Sequence, residues 1–359
     1  MGDEQNATFS WKNAAPDEVG MNAARLAAWQ EEMARHLTKA LLVARHDRIV
    51  WEWYAPDHGR QVKNYTASLA KAMVGGLSLA LAMDDGLIAP DDRAAAFIPS
   101  WQDDPLKSQI TIRHLATHSS GLDDAEQDDL PHAELPGWKG AFWRQEPDPF
   151  SISLNEVPVL FTPGTAHLYS NPGMAVLAYT VTASLRKAGH DCQDIRTLLK
   201  QRIMDKIGVP PEEWSVGYGK TFYLHGLPLV ANWGGGAYTA RAIAAVGRLM
   251  LRKGDWEGQT IISSEVVEQM LAGSVLPADP KYALCWYGNS DGRWPEVPRD
   301  AFYGLGAGRQ VLFVVPSLDL ILVRNGRDDG FDLREKLFAP LIAAVGREEN
   351  RSWITHPAR

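Results

Sequence analysis

A serine and a lysine three residues apart, Ser68 and Lys71, stand in Tyr65-Thr66-Ala67-Ser68-Leu69-Ala70-Lys71, at the head of an apolar run that continues to Met83. Helical positions i and i+3 share a face, so the two side chains can meet. A serine hydroxyl is a weak nucleophile at neutral pH and needs a base or a positive charge beside it. A lysine amine serves as that base once its pKa falls, and burial and the positive end of a helix both push it down. Backbone N–H groups at the same helix start are placed to stabilise a developing oxyanion. The chemistry this pattern supports is acyl transfer through a covalent acyl-serine.

Ser184 and Lys187 repeat the spacing and act as an internal control. They close an amphipathic segment just before Gly189, where a helix should stop and where the dipole favours a protonated lysine. Ser184 is therefore set aside.

The elements that must position Ser68 follow from periodicity. Leu26, Trp29, Met33 and Leu37 recur at helical spacing within Met21 to Lys39, which predicts an amphipathic helix. Residues 40–45 and 48–54 read as two strands joined through His46-Asp47, a hairpin. The Ser68 helix follows and is closed by Gly86. From Leu87 to about Asn232 the texture turns to helices and irregular loops rich in Pro and Asp, including a long connection from Asp123 to Phe150. A helix is expected over Ala240 to Lys253, strands over 282–287, 310–315 and 320–323, and a closing helix over Phe331 to Val345. The expected fold is α/β (α+β): one antiparallel sheet built from both chain ends and flanked by helices, with a helical domain inserted. The sheet-containing unit is assigned to residues 15–86 and 236–347, and the insert to 87–235.

Composition limits the partners. The chain has 359 residues, 45% hydrophobic and 22% charged, with a net charge of −8, values of a globular protein with a sizeable core. No block of clustered Lys or Arg appears, which argues against nucleic acid and anionic membranes as partners. The N-terminus, Met1 to Asn6, is polar and acidic and reads as no secretory signal. Cys192 and Cys285 are the two cysteines and have no metal-ligand spacing. The expectation is a soluble, reduced, cytoplasmic protein that needs no metal or organic cofactor.

Several blocks together resemble the penicillin-recognising serine hydrolases, which include class C β-lactamases, D-alanyl-D-alanine carboxypeptidases and related esterases. The stretch Tyr65 to Asp91 resembles that family's nucleophile helix. Residues 112–122, Ile-Arg-His-Leu-Ala-Thr-His-Ser-Ser-Gly-Leu, resemble its His-Leu-Leu-Thr-His-Thr-Ser-Gly-Leu landmark. Thr162-Pro163-Gly164 with Tyr169-Ser170-Asn171, and Gly235 to Arg241, resemble two further segments in the family's order, so that the likeness runs over roughly 15–345. The resemblance implies Ser68 as nucleophile, with Lys71 and Tyr169 as general base and proton shuttle. A phenol beside a cation is expected to have a lowered pKa. It also implies that Asn171 contacts the lysine and orients a substrate amide, while its place before Pro172 also suits an ordinary N-cap.

The family's strand motif, Lys-Thr-Gly or His-x-Gly, is replaced by Gly304-Leu305-Gly306, followed by Ala307-Gly308-Arg309-Gln310. The N–H of Ala307 would join that of Ser68 as the second oxyanion donor. Gly306 would let substrate lie against the strand, and Arg309 would offer a charge for an acid substrate. The Lys and Thr that bind a β-lactam carboxylate are missing, and residues 306–326 look closest to the branch of 6-aminohexanoate-dimer hydrolases and carboxylesterases. A small ester or amide is thus the expected substrate. The alternatives are a β-lactamase, a D-amino peptidase or a non-catalytic binding descendant. Trp138, Phe142 and Trp143 either wall the cleft or pack the insert's own core. His114 and His118 have the i, i+4 spacing of a zinc helix but no Glu between them, and are read as structural. The glycine runs at 234–236 and 304–308 are not dinucleotide fingerprints, and no Gly-x-Ser-x-Gly elbow occurs.

Overall fold

The computed structural model describes residues 9–127, 130–273, 282–327 and 329–346. The polar N-terminal stretch 1–6 and residue 347, the end of the expected sheet unit, lie outside them. A seven-stranded sheet runs in the order Lys12–Asn13, Arg48–Tyr54, Thr38–Arg45, Leu320–Gly326, Gln310–Val315, Phe302–Gly306 and Tyr287–Gly288. Every pairing is antiparallel except that of Lys12–Asn13 with Arg48–Tyr54. The two chain ends meet at the centre, where Val43 faces Leu322 and Leu42 faces Val323. The 38–45/48–54 hairpin turns at His46 and Asp47, both with positive φ (51° and 59°), the backbone a tight two-residue turn requires.

Alternation along the strands sends side chains to two cores. Leu41, Val43, Val311, Phe313 and Leu322 pack with helix Ala23–Arg35 and the closing helical residues Leu337 and Leu341. Leu42, Ala44, Leu312, Val314 and Val323 pack with helix Ala240–Leu251 and the Ser68 helix. That second core runs without a break into residues 94–233, so the sheet and the mainly helical middle share one hydrophobic interior. The helical stretch 67–84 is long and apolar enough to cross a bilayer, but 83% of it is buried in this core.

The differences from the expected elements have local causes. The first helix ends at Arg35, two residues before Leu37 (φ 54°) turns the chain into the strand that begins at Thr38. The Ala240 helix, capped by Thr239, stops at Leu251, ahead of Lys253 and Gly254, both left-handed. The Asp123–Phe150 connection is not structureless. It contains helix Gly137–Arg144, and Asp148 caps a second helix, Pro149–Asn155, by accepting from the N–H groups of Phe150 and Ser151. The strand Phe302–Gly306 holds two glycines and was expected only as the lining of the cleft.

Candidate active site

Ser68 lies in a single 3-10 turn, Ala67–Leu69, which continues as a π-helical segment, Lys71–Gly76, and then as α-helix Leu77–Asp84. Ala67, directly before the serine, has φ 46°, a left-handed backbone that costs a residue with a Cβ about 1–3 kcal/mol. Tertiary contacts hold the turn in place. Thr66 donates its hydroxyl to Gly235 O at 2.8 Å and its N–H to Gly236 O at 3.2 Å. From the other side, the strand Phe302–Gly306 backs onto the turn at Gly306. A Cβ there would lie 3.0 Å from Ser68 N and 2.8 Å from Leu69 N, and closer still to Thr66 O. Gly306 therefore serves the approach of the Ser68 turn to the strand, and it is not among the residues lining the spaces beside Ser68.

Lys71 Nζ sits 3.1 Å from Ser68 Oγ, 2.7 Å from Asn171 Oδ1 and 2.7 Å from the carbonyl of Trp233. Tyr169 OH donates to Ser68 Oγ at 2.6 Å. One hydroxyl, one amine and one phenol thus meet although residues 68 and 169 are 101 apart in sequence. Lys71 is only 4% exposed, and burial lowers its pKa to about 7, with Asp124 and Glu126 pulling the other way. Tyr169 moves against expectation. Burial raises its pKa well above the ordinary tyrosine value, so the phenol stays protonated at neutral pH despite Lys71 lying 4.6 Å from its ring.

Asn171 is the first residue of helix Asn171–Lys187, but its side chain is not the cap. Ser170 Oγ accepts from Gly173 N–H at 2.9 Å instead, which leaves the Asn171 amide free to meet Lys71. His118 packs its ring 4.6 Å from that of Tyr169 and accepts the Ser170 N–H on Nδ1 at 3.2 Å. Burial holds it well below its usual pKa and hence neutral. His114 instead accepts the Thr111 N–H, in the capping box of helix Ile112–Ala116.

A cleft of about 480 Å³ opens on Ser68, lined among others by Ala307, Trp143, Tyr218, Trp233 and Glu126. Among the described residues, no arginine or lysine lines it. On the other side of Ser68, Tyr169, His118, Tyr282 and Tyr287 enclose a space of about 10 Å³, the size of one water. Ala307 begins the turn after the 302–306 strand, and buried Arg324 ties this turn down by donating to Gly308 O (2.6 Å) and Arg309 O (3.0 Å). Trp143 walls the cleft, its indole N–H bound to Ala125 O at 3.0 Å and its ring stacked on His132. Phe142 packs inward against Trp233, and Trp138 is half-buried against the core away from the cleft lining. Arg309 does not reach the cleft; its guanidinium lies 5.7 Å from the Phe331 ring, on the opposite face of the sheet. Ser184 donates its hydroxyl to Val181 O within its own helix.

Two contributors escaped the sequence reading. The Trp233 carbonyl is a backbone group with no signature of its own, although the glycines that follow it are the signal of a close approach. Asp124 was read only as part of a loop.

A family model described as Beta-lactamase matches residues 26–335. The chain is 25% identical over 327 residues to the 6-aminohexanoate-dimer hydrolase of Paenarthrobacter ureafaciens, a match covering 84% of this chain and 76% of that protein. The structure of a penicillin-binding protein homolog from Caulobacter crescentus superimposes with a TM-score of 0.66 at 17% identity, over 90% of this chain and 99% of that one. A family VIII carboxylesterase does so with a TM-score of 0.65 at 16% identity, over 91% and 98%. These two likenesses speak for a common fold.

Proposed function

The chain belongs to the Beta-lactamase family of serine hydrolases, and from that premise we propose that it cleaves a small ester or linear amide through an acyl-Ser68 intermediate. The observation that carries the reading is the convergence of Lys71 Nζ and Tyr169 OH on Ser68 Oγ at 3.1 and 2.6 Å.

A neutral amine has two N–H donors and one lone pair. Asn171 Oδ1 and the Trp233 carbonyl can only accept, so they take the two donors of Lys71. The lone pair is left for the Ser68 hydroxyl. With a pKa of about 7, a good share of Lys71 is neutral at physiological pH. Ser68 Oγ attacks the carbonyl carbon and its proton passes to Lys71. The oxyanion accepts hydrogen bonds from the N–H groups of Ser68 and Ala307. Tyr169, protonated and in contact with Oγ, gives its proton to the departing oxygen or nitrogen and regains one from Lys71. Water then enters where the leaving group left, surrenders a proton to the same pair as its oxygen bonds to the acyl carbon, and the acyl–Oγ bond breaks, Ser68 Oγ taking that proton back as the acid leaves.

Esters and linear amides are favoured over β-lactams because, among the described residues, the cleft lining carries Glu126 and no lysine or arginine to meet a carboxylate. The name of one relative, a 6-aminohexanoate-dimer hydrolase, supports the same preference. The test is turnover of a p-nitrophenyl ester beside a chromogenic cephalosporin, with Ser68→Ala as background. Hydrolysis of the ester alone is expected; a cephalosporin rate equal to or above the ester rate would reverse the preference.

A further inference from the structure

Asp124 lies behind Asn171, on the side away from Lys71. Its Oδ1 accepts the backbone N–H of Asn171 at 2.8 Å, the side-chain Nδ2 of Asn171 at 3.0 Å and the N–H of Ala125 at 2.8 Å. We propose that Asp124 is a positioning residue for the acyl-transfer reaction: it fixes which end of the Asn171 amide faces Lys71, and its charge sets how readily that lysine gives up its proton. This inference rests on the proposed role of Lys71 as base.

The geometric half follows from donor and acceptor types. An asparagine amide has an acceptor at one end and two donors at the other, and the two orientations fill nearly the same space. A carboxylate can only accept, so it selects the orientation that turns the NH2 toward Asp124 and Oδ1 toward Lys71. In the opposite orientation two NH2-type groups would face each other across 2.7 Å, and a carbonyl oxygen would face a carboxylate. The amine would then have to rotate to find another acceptor, and its lone pair would leave Ser68. Asp124 itself is held by the Ala125 N–H within its own loop, so it is anchored independently of the amide it orients.

The electrostatic half concerns charge near a buried amine. The titratable groups facing Lys71 are Tyr169 and His118, both held neutral, the buried thiol of Cys285, and the carboxylates of Asp124 and Glu126. Glu126 is exposed, and solvent screens it. Asp124 is the half-buried charge closest in the hydrogen-bond chain, one amide away from Nζ, and it favours the protonated lysine. Burial disfavours it. The poise near neutrality reflects both.

The experiment is kcat/KM against pH for a p-nitrophenyl ester with wild type, Asp124→Asn, Asp124→Ala and Glu126→Gln, with a separate aliquot of each labelled with a fluorophosphonate to count active sites. Asp124→Asn keeps an amide oxygen for Asn171 but loses the charge. Its acidic limb is expected to move to lower pH, with kcat kept within roughly 10-fold of wild type. Asp124→Ala loses the orienting acceptor, and kcat per labelled site is expected to fall about 100-fold with KM little changed. Glu126→Gln is expected to shift the limb less than Asp124→Asn. Limbs and kcat per labelled site unchanged in both Asp124 variants would overturn the inference while leaving Lys71 as base, and so would a larger shift in Glu126→Gln. A wild type that neither labels nor turns over would instead overturn the hydrolase reading itself.

Discussion

The backbone carbonyl of Trp233 accepts a hydrogen bond from Lys71 Nζ at 2.7 Å, joining residues 162 apart in sequence. With Asn171 Oδ1 on a second side at 2.7 Å, it fixes two of the three directions around the amine, and the third points at Ser68. The lysine is thus aimed by groups that cannot themselves titrate near neutral pH. Its own protonation is left as the variable that pH controls.

The rate of ester cleavage should therefore follow the neutral fraction of Lys71. With its pKa near 7, kcat/KM is expected to rise with pH and level off above about 7, and to be roughly 10-fold below the plateau at pH 6. Tyr169, raised well above its ordinary value, gives no falling limb below pH 9. Steady-state rates between pH 5 and 9 check this, and a flat profile, or one that falls above pH 8, would speak against a lysine base.

The same burial has a signature in stability. Lys71 is lowered from 10.5 to about 7 on folding, so between those values the unfolded chain binds a proton that the folded one does not. Unfolding free energy then rises with pH across that window, and below about pH 7 the burial penalty applies in full. Lys71→Met lacks this gain. The difference between wild type and Lys71→Met, measured by urea unfolding, is expected to shift toward wild type from pH 6.5 to pH 9.5. A difference independent of pH would show that the amine is not buried as a neutral base.

Much of this site could be read from the chain, for a physical reason. Ser68 and Lys71 are coupled by local helical spacing, which sequence displays directly, and the 38–45/48–54 hairpin follows from alternation and a two-residue turn. The expected sheet from both chain ends is also found, since Leu320–Gly326 pairs with Thr38–Arg45. What remained hidden depends on the finished fold. The left-handed Ala67 is imposed by Thr66 anchoring on Gly235 and Gly236, and nothing in an alanine announces it. The pKa of Tyr169 was expected to fall because a cation lies nearby, but desolvation dominates and raises it, and burial depth is not visible in a Tyr-Ser-Asn run. Arg309 looked available for an acid substrate because its register on the turn was unknown; its ring contact lies on the far face of the sheet.

Gly306 offers a steric test of how closely the nucleophile turn must approach the strand. In Gly306→Ala the new methyl would meet the backbone of Thr66, Ser68 and Leu69, none of which can swing aside. Overpacking of this kind costs about 1–3 kcal/mol, and a displaced serine should lose roughly 10- to 100-fold in kcat. Gly304→Ala strikes mainly the far end of the Leu69 side chain, at 2.5 Å, and should cost less activity. Thermal unfolding and ester turnover of both variants check this; wild-type kcat in Gly306→Ala would mean that the turn is not held against the strand as described.

The account depends most on Ser68 being the atom that takes the acyl group, and intact-mass spectrometry after treatment with a fluorophosphonate asks that question directly. Wild type is expected to gain one adduct mapping to the peptide that contains Ser68; Ser184→Ala should gain it equally and Ser68→Ala should gain none. An adduct of the same mass on Ser68→Ala, or one mapping to another residue in wild type, would contradict the account.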